Sequence, residues 1–214
     1  MSVGSVVLLH GIWMRARVTD VLARRLRACC YDVTQVDYPS VRGTEAQMLA
    51  RLDAAVQKAA APVSIVGHSL GGLLAAHYVQ RDERPIARLV CLGSPLVGSE
   101  LAQRLQRWKL GGATLGGAEG VLVKGLERWD SPVPMGVIAG RIRIGLSMIL
   151  GPLPRPNDGT VAVRETLLPD ITEHRVIAAS HTSLLFSAEA AQLTIDFLRH
   201  GRFCDAVAPT AGRP

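Results

Sequence analysis

Residues 63–79, VSIVGHSLGGLLAAHYV, pass from an apolar strand-like run into a helix-like run with almost no connecting loop. The corner between them holds one serine, Ser69, fenced by glycines and by His68. A strand buried on both faces that turns at once into an apolar helix is a unit of a parallel sheet covered by helices, because parallel strands need helical crossovers to connect them. The pentapeptide Gly67-His68-Ser69-Leu70-Gly71 reads G-x-S-x-G. A turn this tight leaves no room for side chains two residues either side of the serine, a demand that Gly67 and Gly71 meet, and Gly72 lets the helix approach the sheet. Such a turn lifts the Ser69 hydroxyl out of the fold. It also leaves the Leu70 amide unpaired at a helix N-terminus, ready to donate to an oxyanion.

The same alternation recurs along the chain. SVVLLH, YDVTQVDYP, PVSIVG, IARLVCLGSP, VPMGVIAG and EHRVIAA read as six strands. Helical spacing separates them: Val18, Val21, Leu22, Leu26 and Cys29 within 15–29, then Met48, Leu49, Leu52 and Val56 within 45–60. A third helix runs from Leu70 to Gln80, and Leu101, Leu105 and Trp108 mark a fourth. A last helix is expected over 183–199, with Ser183 as its N-cap. The prediction is an α/β fold with a predominantly parallel six-stranded sheet and helices on both faces. Its 214 residues suffice for one domain, placed at 1–200, followed by a C-terminal tail at 201–214. Two stretches break the rhythm, 110–130 and 141–160, and both follow strands. Ligands in such sheets bind beyond the carboxyl ends of the strands, so both stretches are placed to cover a pocket.

Composition closes off other classes. Hydrophobic residues make up 48% of the chain, which argues for a globular protein, and aromatics only 4%, so Val, Leu, Ile and Ala must build the core. The net charge of +6 comes from scattered basic residues without an aromatic-interleaved block, so no nucleic-acid partner is expected. Cys29, Cys30, Cys91 and Cys204 fit neither a disulfide framework nor a zinc pattern. Unpaired thiols suit a reducing compartment, and MSVGSVVLLHG has no basic n-region before its apolar run, so a cytoplasmic location is expected. No metal-ligand cluster or cofactor motif is visible, and none is expected. The sequence sets no oligomeric state.

A hydroxyl at such a corner needs a base. His181 lies between the sixth strand and the last helix, where a base can reach a serine at the sheet's carboxyl edge. The other histidines are placed less well: His10 ends the first strand, His68 adjoins the serine but points away from it, His77 sits inside a helix, His174 starts a strand and His200 lies in the tail. Asp158, in PNDGTVAV between the fifth and sixth strands, is the best carboxylate to orient His181. Asp170 in LPDI is its main rival, and Asp130 falls at the wrong end of the sheet. In LLHGIW, the Ile12 amide can turn toward Ser69 and complete an oxyanion hole with that of Leu70. Trp13 either lines the pocket or packs.

HGIW, GHSLGG, LGSP, NDGTV and SHTSLL, in that order from residue 10 to 186, resemble the α/β-hydrolase family, and most of all its small bacterial lipase and esterase branch. The chain order Ser69, Asp158, His181 matches the order of that family. The resemblance implies a minimal fold of six core strands and supports Ile12 and Leu70 as oxyanion donors. It also makes residues 96–131 a variable cap or lid. Ser94 stands where the branch usually carries Thr. The expected chemistry is hydrolysis of a small-molecule acyl ester through an acyl-enzyme. A thioesterase, phospholipase or acyltransferase would use the same residues, and a scaffold that binds a small molecule with little turnover is the reading from another class. Leu115, Leu122, Leu146, Met148, Ile149 and Leu150 are candidates for an apolar acyl pocket or for ordinary core. Apolar cap residues beside Lys109 and Lys124 are also suited to contact with a membrane or lipid surface.

Overall fold

The computed structural model describes residues 3–81 and 84–204. Among them six strands form one all-parallel sheet: β1 (Gly4–Leu9), β2 (Tyr31–Val36), β3 (Val63–His68), β4 (Ile86–Leu92), β5 (Met135–Gly140) and β6 (Glu173–Ile177), in the order β2-β1-β3-β4-β5-β6. The helices are α1 (Asp20–Ala28), α2 (Glu45–Lys58), α3 (Leu70–Arg81), α4 (Glu100–Arg107), the single turns α5 (Gly111–Thr114) and α6 (Glu119–Lys124), the turn α7 (Ser147–Leu150), and α8 (Ala188–His200). No helix among the described residues is long and apolar enough to cross a membrane. Residues 205–214 of the expected tail lie outside the described residues. His200 closes α8 rather than lying in a tail.

The continuous apolar strands serve two cores, because successive residues of a strand point to opposite faces. Val7, Leu9, Ile65, Leu89, Cys91 and Val137 face α2 and α3. Val6, Leu8, Val66, Val90, Leu92 and Ile138 face α1 and α8. Local signals set the helix ends. Thr44 and Gln47 form a reciprocal capping box on α2, and the Ser99 hydroxyl accepts from the Ala102 amide at the start of α4. Trp108 is half-exposed just beyond α4 and is not part of its buried face.

The last helix starts later than the sequence suggests. Ser183 belongs to a 3-10 turn, Thr182–Leu185, in which its hydroxyl accepts from the Ser180 amide and donates to the Ser180 carbonyl. Ser187 is the true N-cap of α8, accepting from the Ala190 amide, and Gly201 in the left-handed region ends the helix. Both serines precede apolar residues, and only the one whose hydroxyl reaches a free helical amide starts the helix.

The strand order fixes where a site can lie. From β1 the chain steps outward to β2, then crosses back over β1 to β3 and continues outward on the other side. The connections after β1 and β3 therefore diverge at the carboxyl edge and leave a crevice between them. The loop after β1 and the start of α3 border that crevice.

Candidate active site

Ser69 occupies the corner between β3 and α3 with φ of +55°. This left-handed conformation costs a non-glycine residue roughly 1–2 kcal/mol. The surrounding bonds hold it: its amide donates to the Leu92 carbonyl at 2.9 Å, and its carbonyl accepts from the Gly72 and Leu73 amides at 3.1 and 3.3 Å. The fencing glycines are sterically required. A Cβ on Gly67 would lie 2.4 Å from the Gly72 nitrogen, one on Gly71 2.5 Å from the His10 carbonyl oxygen, and one on Gly72 2.0 Å from the Ser94 hydroxyl. All three collisions involve backbone or a fully buried side chain, which cannot move aside cheaply.

The loop after β1 lies directly over the serine, since a Cβ on Gly11 would come within 3.1 Å of Ser69 Cβ. Its shape is set from below. His10 stacks on Tyr38 at 4.2 Å between ring centroids, the Tyr38 hydroxyl donates to the His10 carbonyl, and His10 Nδ1 donates to the Gly11 carbonyl at 2.8 Å. Burial lowers the pKa of His10 and raises that of Tyr38, so both stay neutral at ordinary pH. Trp13, at φ of +58°, donates its amide to the Ser40 hydroxyl and its indole N–H to the Thr114 carbonyl at 2.7 Å. The loop thereby reaches the helices that follow β4. Among the described residues, no acceptor engages the Ile12 amide or that of Leu70, the first amide of α3.

His181 and Asp158 arrive from the loops after β6 and β5. His181 Nδ1 donates to Asp158 Oδ2 at 2.8 Å, and the His181 amide donates to the Asp158 carbonyl at 2.9 Å. The other carboxylate oxygen, Oδ1, accepts from the Thr160 and Val161 amides at 2.9 and 2.7 Å. Asp158 is 1% exposed, so every interaction of its charge is made within the protein. With the proton on Nδ1, the His181 Nε2 lone pair is the free one. His181 and Ser69 line the same cavity. The rival carboxylates are elsewhere: Asp170 is exposed and 3.6 Å from Arg128, and Asp130 is exposed.

His68 has a place that the sequence does not reveal. Its Nε2 donates to the His181 carbonyl at 2.9 Å, and its ring lies 4.7 Å from the His181 ring, centroid to centroid. It is fully buried, which drives its pKa down to about 3 and keeps it neutral. Glu165 is a second unforeseen element. Its carboxylate accepts from the Glu100 amide at the start of α4 and from the Ala162 amide, and burial pushes its pKa up to about 6. Arg104 of α4 bonds Glu100 and the Leu150 and Pro152 carbonyls, so α4 is tied to the loops on both sides of Asp158. The only sequence signal for Glu165 is its position at the third residue of a turn, where a carboxylate reaches back to the preceding amide.

Two cavities meet at Ser69. One, of about 360 Å³, opens to solvent between Trp13, Met14, Leu146, Ile149 and His181. The other is a slot of about 30 Å³ running under α4 and α6, lined by Leu101, Leu105, Leu115, Leu122 and Leu150 among others. Ile12 and Trp13 border both. Of the six side chains expected at an acyl pocket, Met148 lines neither. A larger cleft of about 690 Å³ beside α3 and α6 holds Lys124, His77 and Arg81, but its histidine and arginine are engaged by Glu45 and it contains no hydroxyl or thiol nucleophile. Lys109 is exposed after α4. The four cysteines are unpaired. Among the described residues no group of three or more His, Cys, Asp or Glu side chains converges on a point where a metal ion could sit.

A family model described as the alpha/beta hydrolase family matches residues 6–192. No curated protein sequence matches this chain. Among solved structures, the mature form of a Bacillus licheniformis lipase superposes with a TM-score of 0.69 at 20% identity, covering 94% of this chain and 92% of that one. A pyrethroid hydrolase superposes at 0.67 with 16% identity, covering 93% and 98%. A thioesterase from the prodiginine biosynthetic pathway of Streptomyces coelicolor superposes at 0.59 with 13% identity, covering 92% and 85%. At these identities the likeness is one of fold.

Proposed function

The chain belongs to the alpha/beta hydrolase family, and from that membership we propose that it is a serine hydrolase of carboxylic esters, with Ser69 as nucleophile, His181 as general base and Asp158 as the group that orients it. The observation that carries this reading is the 2.8 Å bond from His181 Nδ1 to the buried Asp158, which leaves Nε2 as the acceptor in the cavity it shares with the strained serine. His181 Nε2 takes the proton as Ser69 Oγ attacks the acyl carbonyl. The tetrahedral oxyanion is held by the Ile12 and Leu70 amides. His181 then protonates the leaving alcohol, and Asp158 stabilises the imidazolium in the interval. Water, deprotonated by His181, attacks the acyl-enzyme, and His181 returns the proton to Ser69 Oγ as the acid leaves. The leucine-lined slot, at about 30 Å³, has room for a short acyl group, and the open cavity suits the alcohol portion. The same machinery accepts thioesters, and pocket shape decides between them.

The test is labelling with a fluorophosphonate probe, in the wild type and in Ser69→Ala, His181→Ala, Asp158→Ala and Asp170→Ala, each checked for folding by circular dichroism. Labelling should require Ser69 and His181 and slow with Asp158→Ala but not with Asp170→Ala. A series of nitrophenyl esters then sizes the slot. A folded wild type that neither labels nor hydrolyses any ester, yet binds the esters, is a binding scaffold, and the proposal fails.

A further inference from the structure

Among the described residues, the segment after β5 is the most exposed apolar stretch. Ile144, Met148 and Ile149 are 65%, 73% and 82% exposed, Ile142 of the same segment is exposed, and so is Trp13, which borders the open cavity together with Ile149. Scattered single apolar residues at a surface are ordinary, whereas a contiguous group at a cavity mouth marks a contact surface. These side chains cannot fold inward, because the backbone beneath them is committed. The Arg141 and Ile142 amides donate to the Ile177 and Ala179 carbonyls, the Ser147 amide donates to the Gly159 carbonyl at 2.7 Å, and Gly145 is seated so closely on Gly159 and Thr160 that a Cβ would collide. Around the turn of α7, Leu146 and Leu150 line the cavities, Ile149 borders the open cavity while staying exposed, and Met148 points to solvent.

Charge says what covers this surface. From Ser131 to Asn157 the chain has three arginines, Arg141, Arg143 and Arg155, and no acidic residue. All three are exposed, and among the described residues none has an acidic partner. A symmetric contact with a second copy would set like charges against each other around an apolar centre. An anionic lipid surface accepts the apolar side chains among its acyl chains and neutralises the arginines at its headgroups. We propose that the segment 141–149 together with Trp13 seats the protein on anionic phospholipid surfaces, with the Ser69 cavity opening toward the lipid. The inference uses the position of the cavity but not its chemistry.

The experiment is sedimentation with vesicles of phosphatidylcholine alone and of phosphatidylcholine mixed with phosphatidylglycerol, using full-length Ser69→Ala so that the lipid stays intact. The protein should sediment with the anionic vesicles only and be released by salt. Arg141→Gln and Arg143→Gln should each weaken binding about fivefold. Ile144→Ser with Met148→Ser, neither of which lines a cavity, should weaken it by about tenfold or more, while the same pair in the Ser69 background leaves hydrolysis of a soluble acetate ester unchanged. Absence of binding to anionic vesicles, or binding that is indifferent to these substitutions, overturns the proposal. So does a dimer in analytical ultracentrifugation that the Ile144→Ser, Met148→Ser pair dissolves, which would make the face a self-association surface. Failure of the serine chemistry would appear in probe labelling and leave the vesicle result standing.

Discussion

Replacing Asp158 by asparagine separates what this residue does for the fold from what it does for His181. Oδ1 accepts from two backbone amides, Thr160 and Val161, whereas Oδ2 accepts only from His181 Nδ1. An asparagine at 158 must keep its carbonyl oxygen at the Oδ1 position, because turning it would point its NH2 at two amide donors. Its NH2 then faces His181 Nδ1, which can meet it only as an acceptor. The imidazole proton moves to Nε2, and the nitrogen that should take the proton of Ser69 is already protonated. Restoring the productive tautomer means breaking this bond in a buried site, and a tautomer error of this type lowers kcat by roughly three to four powers of ten. Stability should change little, since the Oδ1 bonds survive. Asp158→Ala is the contrast: it strands both amides, each costing about 1–3 kcal/mol, and should lower the melting temperature clearly. The assay is kcat and kcat/KM on a nitrophenyl ester from pH 5 to about 9, with melting curves of the wild type and both variants. If Asp158→Asn keeps a tenth or more of the wild-type kcat, or if Asp170→Asn is the variant that collapses, the assignment is wrong.

The pKa of His68, depressed from 6.5 to about 3 by burial, makes the unfolded chain bind one more proton than the native one between those values. Its contribution to stability is therefore complete above pH 6.5 and is lost at about 1.4 kcal/mol per pH unit on acidification; urea unfolding from pH 4 to 7 should show a shallower slope in His68→Gln, and parallel slopes would refute it. Glu165 has the opposite sign: its pKa is raised from 4.5 to about 6, so the native state holds the extra proton, and stability is favoured below 4.5 and reduced by about 2 kcal/mol once the pH passes 6. Glu165→Gln turns its NH2 toward one of the two amide donors and starts less stable, but its stability relative to the wild type should rise by about that amount from pH 4 to 7 in the same measurement. Leu150 lines the leucine slot and is only partly buried, so, if the slot takes the acyl group as proposed, Leu150→Ala should favour longer esters, by roughly fourfold in kcat/KM per added methylene, read from the nitrophenyl ester series.

The sheet was legible in the chain because a parallel strand is buried on both faces and must be largely apolar, as Val6 to Leu9 are and as Val63 to Val66 are but for the buried Ser64. The serine corner was legible because its sterics are local: Gly67, Gly71 and Gly72 are close in sequence to the residue they relieve. Asp158 was harder to single out, because Asp158 and Asp170 both lie in turn-like sequence before the same strand. They differ in whether the following amides, Thr160 and Val161, fold back onto the carboxylate, and that is a property of the folded loop. The region that follows β4 was illegible for a related reason. Its glycines look like breaks in a weak helix, yet a Cβ on Gly116 would lie 2.0 Å from the Val41 carbonyl oxygen and one on Gly117 1.9 Å from that of Gly43. They are glycines because this segment lies backbone to backbone on the loop after β2, with the Gly117 amide bonded to the Val41 carbonyl, and periodicity cannot report a contact across that sequence distance. His68 follows the same logic. Its partner is a backbone carbonyl 113 residues later, which any residue type can supply, so no pattern in the sequence marks it. Residues that shape the site through their own side chains left a trace in the sequence, and those that act on distant backbone did not.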